Sequence, residues 1–550
     1  MKDFWKNLPA SARWVSFALH LALWGLIGFL IVPAMGTGGF WWTDETRHAM
    51  GGVFILDLVR DMPLADPVGY AFQYFAQYPA LALNWYLPGF YAAEAIFYAV
   101  FGISEAAAHW TVVMFCVVAG SALFDWTRRT WGATAALIAT ALFLSVPDWN
   151  FWARSVMLEA PAIAMLILAI WSFELYLDKP TFARAVLAGL TIAAALLVKQ
   201  TVALMLPAIF AYGLWTPRRS AMLRWQAAPA YFFVFLAIAI SAVHAIKFGG
   251  LGLAATVGDS RTGLGLSAGR FSLERWLLYP SLLVQIWGWP SLIMSGIGAL
   301  WPSKDNEPRL PMLYAWVACW YLVMTLVLGA PGNASRYTLY VLPALAVFAA
   351  RPIFLLRERP RIKGVFIVLL VIAIGFNVWR SMKQPVPYVN GYREAAEFIS
   401  QQHTKSPMLF AGKHDGSFIF HLRRLDNKRN DVVLRGEKVL VSMAVHKYFG
   451  MESHVNSLDE IRALIKRYGV EFIVIEQPDI VRLKEFGMLF DLMQQPDFEK
   501  IKVLPVTSGG GAAAPDRIEI YRYRDYLPMD DATIVIPLPH MNREIRFKRH

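Results

Sequence analysis

The chain has 550 residues, 57% of them hydrophobic and 17% charged, a balance that excludes a set of soluble domains because so much apolar surface needs lipid as its solvent. A formal net charge of +12 would suit nucleic acid, but the basic residues fall in short clusters between apolar segments, so membrane orientation accounts for them and no nucleic-acid partner is expected. The two cysteines, Cys116 and Cys319, both lie in apolar segments and give no disulfide framework.

The first apolar segment, 14–35, follows Lys2, Lys6 and Arg13. At about 1.5 Å per residue it is long enough to cross a hydrocarbon core of about 30 Å. No small-residue cleavage pattern follows it, so it reads as an uncleaved first span. A few residues later comes Trp41-Trp42-Thr43-Asp44-Glu45-Thr46-Arg47-His48. Two adjacent carboxylates, an arginine and a histidine at a membrane surface suit chemistry on a charged substrate; the bland alternative is a solvated loop.

Further apolar segments follow at 80–102, 109–126, 132–150, 157–177, 184–198, 201–215, 227–246, 277–300, 310–329, 337–356 and 363–379. The basic linkers are Arg128-Arg129, Lys179 with Arg184, Arg218-Arg219 with Arg224, Lys304 with Arg309, and Arg357 through Lys363. All five belong on the cytoplasmic side with the amino terminus only if residues 36–108 make no net crossing. Segment 80–102 holds Asn84, Pro88 and Glu94, each costly in lipid, and is expected to lie at the outer interface or dip into it.

The expected fold is therefore a polytopic α-helical membrane protein of about 11 transmembrane helices, with juxtamembrane helices in the first outer loop. After residue 380 the apolar runs shorten to strand length, as in Met408-Leu409-Phe410 and Phe472-Ile473-Val474-Ile475, and alternate with helix-like stretches at 391–402 and 457–468. Residues 1–380 thus read as a transmembrane domain and 381–550 as a soluble α/β domain on the periplasmic side of a bacterial inner membrane. Gly509-Gly510-Gly511 and the alanines after it read as a flexible loop.

This topology sends five charged features to the outer face: the Asp44-Glu45 loop, the Arg154 to Glu159 turn, Lys199-Gln200, the loop 248–275 with Asp259, Arg261 and Arg270, and the Arg336-Tyr337 turn. A sugar joined to a lipid phosphate needs a cation to hold the departing phosphate and a carboxylate to orient or deprotonate the attacking group. Lys199, Arg261, Arg270 and Arg336 are candidates for the cation, although a basic residue ending a span is more often a snorkelling anchor. Glu159 opens a span, where a carboxylate also suits the helix dipole. His48 has no neighbour at metal-ligand spacing, so packing is favoured over ligation.

The run Trp42 to Arg47 resembles the signature of polytopic glycosyltransferases that use polyprenyl-phosphate sugars, the group holding protein O-mannosyltransferases and lipid A aminoarabinose transferases. Tyr78-Pro79-Ala80-Leu81, Arg128-Arg129, Arg154-Ser155 with Glu159, Lys199-Gln200, and Arg336-Tyr337 before Leu342-Pro343 follow in the family's order over residues 14–380. The resemblance implies an inverting membrane glycosyltransferase with Asp44 as the catalytic carboxylate. Glu45 and Glu159 are implied beside it, with Arg47, His48, Tyr78, Arg154, Lys199, Arg261, Arg270, Arg336 and Tyr337 as substrate contacts.

The donor it implies is an undecaprenyl- or decaprenyl-phosphate sugar. The acceptor would be an envelope glycolipid, lipid A or polysaccharide first and a protein hydroxyl second, with membrane lipids as surroundings. Gln77-Tyr78 stands where the aminoarabinose transferases carry Glu-Lys, so no zinc is expected and aminoarabinose is disfavoured. No Trp-Trp-Asp-Tyr-Gly run is present, which argues against an oligosaccharyltransferase. No cofactor is required, while a divalent cation shared by Asp44, Glu45 and the donor phosphate stays open. The rival class is a lipid-linked-sugar flippase, against which count the gathering of charge at one face and the lack of a two-fold repeat.

Overall fold

The computed structural model describes residues 10–35, 38–82, 85–248, 271–302, 307–328, 334–402, 406–443, 451–528, 533–538 and 543–548. Asp259, Arg261, Arg270 and Lys304 lie outside the described residues. Among the described residues seven helices are long and apolar enough to cross a membrane, or eight when Leu273–Trp287 and Trp289–Leu300, bent by 112° at Gly288, form one span. The longest, Glu105–Leu144, breaks at Gly132, whose φ of 80° and ψ of 168° are open to a residue without a Cβ. Phe182–Val198 and Gln200–Trp215 are shorter apolar helices, so length and composition give seven or eight spans among the described residues where about eleven were expected. Gly89–Phe101 has 13 residues. Its length of about 20 Å falls short of a hydrocarbon core of about 30 Å.

Side-chain contacts fix which helix ends lie together. Arg128 donates to Ser16 Oγ near the start of helix Ala10–Ile31 (3.0 Å), and Arg154 donates to Leu30 O near its finish (3.0 and 2.8 Å). Arg129, Arg218 and Arg309, from three of the basic linkers, meet at Asp178, which adjoins a fourth. Residues 38–104 leave and rejoin the helical bundle at the opposite end, as the charge-based topology requires. That segment folds into helices Thr43–Asp61, Pro67–Gln77 and Gly89–Phe101.

Helices run to Lys383, and the first strand starts at Tyr388. A five-stranded mixed sheet follows in the spatial order Val433–Arg435, Met408–Ala411, Phe472–Gln477, Arg517–Tyr523, Phe498–Pro505. The two strands foreseen in the sequence are neighbours, parallel, with Met408 opposite Phe472. The foreseen helices are Tyr392–Ser400 and Leu458–Tyr468. The triple glycine is no loose loop: Gly509 pairs with Tyr388 in a short ladder, and Gly510 and Gly511 turn the chain at φ 62° and 81°. One continuous apolar core runs from the spans into this sheet.

Candidate active site

Helix Thr43–Asp61 begins where Trp42 leaves an extended conformation, with Asp44 and Glu45 in the first turn at the positive end of the helix dipole. The two carboxylates then part company. Glu45 is buried; its Oε2 accepts the amides of Trp41 (3.0 Å) and Trp42 (3.2 Å), and its Oε1 accepts the amide of Val156 (2.8 Å). It is a capping residue that ties the first loop to the 154–159 turn. Asp44 is half-buried, and no hydrogen bond or ion pair joins its carboxylate to another described residue. Its charge acts on Arg47, His48, Tyr86, Tyr91 and Arg336, which places it beside the next cluster.

That cluster gathers three span ends. Glu159 opens helix Glu159–Asp178, Lys199 caps helix Phe182–Val198 in an extended conformation, and Arg336 lies in the short helix Ala334–Thr338. Lys199 Nζ is 2.7 Å from Glu159 Oε1, and Arg336 Nη1 is 3.5 Å from the same oxygen. Tyr337 lies against both cations, its ring centre 5.7 Å from Lys199 Nζ and 5.3 Å from Arg336 Cζ. Its carbonyl accepts Trp320 Nε1 at 3.0 Å, which holds the turn in place. Two cations thus face one carboxylate, and Arg336 Nε is buried with no hydrogen-bond partner among the described residues. Such a site carries spare positive charge and spare donors, the requirements for holding a phosphate.

His48 joins this group from the Asp44 helix. Its Nδ1 is 3.1 Å from Tyr91 Oη, and its ring meets Tyr86 edge-on at 4.8 Å. Burial pushes its pKa down to about 4, so it is neutral at neutral pH. Tyr86, which the sequence reading missed, lies in the loop before Gly89–Phe101. Burial and then the charge of Asp44 hold its phenol far above the ordinary range, leaving it a neutral donor. Nothing in an isolated loop tyrosine signals such a role.

Other sequence candidates point elsewhere. Arg154 is buried and gives its Nε and Nη2 to Leu30 O, so it closes the end of the first span. Tyr78 is fully buried; its hydroxyl donates to Asp426 Oδ2 at 2.7 Å and its ring lies under Arg423. Arg47 turns toward Asp415 at 3.5 Å. Tyr78 and Arg47 belong to a docking surface between the first loop and the C-terminal domain, centred on helix Asp415–Leu425. Arg423 contacts Asp57 Oδ2 at 2.6 Å, Arg429 contacts Asp61 Oδ2 at 2.5 Å, and Arg435 Nη1 donates to Pro79 O at 3.1 Å. Arg261 and Arg270 fall outside the described residues. No three His, Cys, Asp or Glu side chains group as metal ligands among the described residues, and both oxygens of Glu45 accept backbone amides.

A family model described as dolichyl-phosphate-mannose-protein mannosyltransferase matches residues 88–246. No curated protein matches the chain by sequence. In structure it is similar to ArnT from Cupriavidus metallidurans, solved with undecaprenyl phosphate, at 14% identity and a TM-score of 0.57, over 95% of this chain and 100% of that one. It is similar to the archaeal oligosaccharyltransferase AglB from Archaeoglobus fulgidus, solved with an inhibitory peptide and a dolichol-phosphate, at 12% identity and 0.55, over 85% and 70%. The arabinofuranosyltransferase AftD from Mycobacteria matches at 12% and 0.55, over 95% of this chain and 41% of that one. The chain shares the fold of these three structures.

Proposed function

We propose that this chain, built on the membrane glycosyltransferase fold, moves one sugar from a polyprenyl-phosphate donor to a hydroxyl of a cell-envelope acceptor at the periplasmic face. An envelope glycolipid or polysaccharide is the first acceptor class and a protein hydroxyl the second. The observation that carries this reading is the pairing of an unengaged carboxylate, Asp44, with a cation cluster that holds one more positive charge than its own carboxylate neutralises.

Asp44 accepts the proton of the acceptor hydroxyl as its oxygen bonds to the anomeric carbon from the face opposite the phosphate. The bond from that carbon to the phosphate oxygen breaks, and the electron pair leaves with the lipid monophosphate, so the configuration inverts. Lys199 and Arg336 take up the charge that develops on the leaving phosphate, and the Tyr337 ring packs against both. Glu159 positions Lys199 and Arg336 and is assigned no proton transfer. These two cations supply at the leaving group the charge that a divalent ion would otherwise bring.

The test is transfer in proteoliposomes from a panel of radiolabelled undecaprenyl-phosphate sugars to an envelope lipid extract, with wild type beside Asp44→Asn. Transfer by wild type that the variant loses supports the reading and identifies the donor. Translocation of labelled lipid without transfer would replace it with a flippase.

A further inference from the structure

Arg47 follows Asp44 by three residues on one helix, and side chains at that spacing are neighbours that pair when their charges are opposite. Here they do not pair. Arg47 Nη2 instead lies 3.5 Å from Asp415 Oδ1, and Asp415 exerts the largest attraction on Arg47, ahead of Glu437 and Asp44. Asp415 is itself held: Arg435 Nε is 2.5 Å from its Oδ2, while the same guanidinium reaches Glu437 at 2.7 Å and Pro79 O at 3.1 Å. Helix Asp415–Leu425 comes close enough to do this because Gly416 has no side chain. A Cβ there would stand 2.0 Å from Thr46 Oγ1 and 3.1 Å from Arg47 Nη1.

We infer that Asp415 is a positioning residue for the transfer reaction: by engaging Arg47 from the docked C-terminal half, it draws that cation off Asp44 and leaves the Asp44 carboxylate available to the acceptor hydroxyl. This rests on the proposed role of Asp44. It makes the docked domain part of the base's electrostatic environment. The other groups acting on Asp44 are His48 from its own helix, Tyr86, Tyr91 and Arg336, with Glu159 acting on the same His48. Those around Arg47 are Asp415, Glu437 and Lys438.

The experiment uses the full chain in proteoliposomes and two readouts. The first is the pH dependence of Asp44 modification by dicyclohexylcarbodiimide, which attacks protonated carboxyls, followed by peptide mass spectrometry. The second is transfer with the undecaprenyl-phosphate-sugar panel. In Asp415→Asn, Arg47 returns to Asp44, the half-point of modification falls by about one pH unit, and kcat drops by roughly tenfold with the donor KM little changed. Adding Arg47→Gln restores both, and Asp415→Glu keeps both near wild type.

An unmoved half-point in Asp415→Asn, or equal impairment of the single and double variants, overturns the assignment. Arg47→Gln alone is the check that needs no change at Asp415: it leaves the half-point almost in place, and a rise of about one unit would mean that Arg47 already pairs with Asp44. Full transfer by Asp44→Asn would refute the general-base reading, while the modification half-points would still decide whether Asp415 controls Arg47.

Discussion

The two ends of helix Glu159–Asp178 carry the same residue types and use them differently. At the basic-linker end, Glu174 and Asp178 meet Arg129, Arg218 and Arg309, and each of the five lies within 3.9 Å of an opposite charge. Nearby, Arg351 and Glu307 form a fully buried pair that also takes the Trp131 indole at 2.7 Å. At the other end one carboxylate faces two cations, and Asp44 has no ionic partner among the described residues. Both clusters hold one more cation than carboxylates, so the difference lies in Asp44, a carboxylate left open to a substrate beside the second. Position on a span end does not separate these roles, and only the inventory of partners does.

The comparison breaks most sharply at Asp44. Asp44→Asn is expected to lower the transfer rate by about 10² to 10⁴, the usual worth of a general base. Its thermal unfolding in detergent should match wild type, because no partner is orphaned. Lys199→Gln comes next: loss of one donor to the leaving phosphate lowers kcat/KM for the donor by roughly 10². A change confined to the donor KM would reduce Lys199 to a binding contact.

Arg309→Ala tests the opposite end. It removes one of the cations shared by Glu174 and Asp178, which keep Arg218, and should cost about 3 kcal/mol of stability by calorimetry, with kcat of the folded fraction unchanged. A selective loss of kcat would erase the distinction between the two ends.

The smallest effect is at His48. Its folded-state pKa lies below the unfolded value, near 4 against 6.5, so the unfolded chain binds the extra proton first. The stability held by neutral His48 is complete above about pH 6.5 and is lost as pH falls toward 4, by about 3 kcal/mol in all. His48→Asn should flatten the stability profile in that window.

Much of this was legible in the chain because charge at a span end is conspicuous. Asp44, Glu159, Lys199 and Arg336 stand out between apolar runs, and the linker arginines fixed which ends share a face. The roles of Arg154 and Tyr78 were not legible, since their partners, Leu30 O and Asp426, lie 124 and 348 residues away. Glu45 was expected to support Asp44, but its tie to the Val156 amide, 111 residues on, was not legible. Tyr86 gave no signal because it sits in no charged run, and Asp415, which follows Lys413 and His414, does not announce its partner Arg47, 368 residues earlier; their importance comes from what folding sets beside them.

The docking surface also limits how such a protein can be recombined. Asp57 and Asp61 are matched to Arg423 and Arg429, and Tyr78 to Asp426, across hundreds of residues of intervening spans. A chimera that exchanges the C-terminal half alone would set these groups against strangers. Helices Thr43–Asp61 and Asp415–Leu425 would therefore have to be exchanged together.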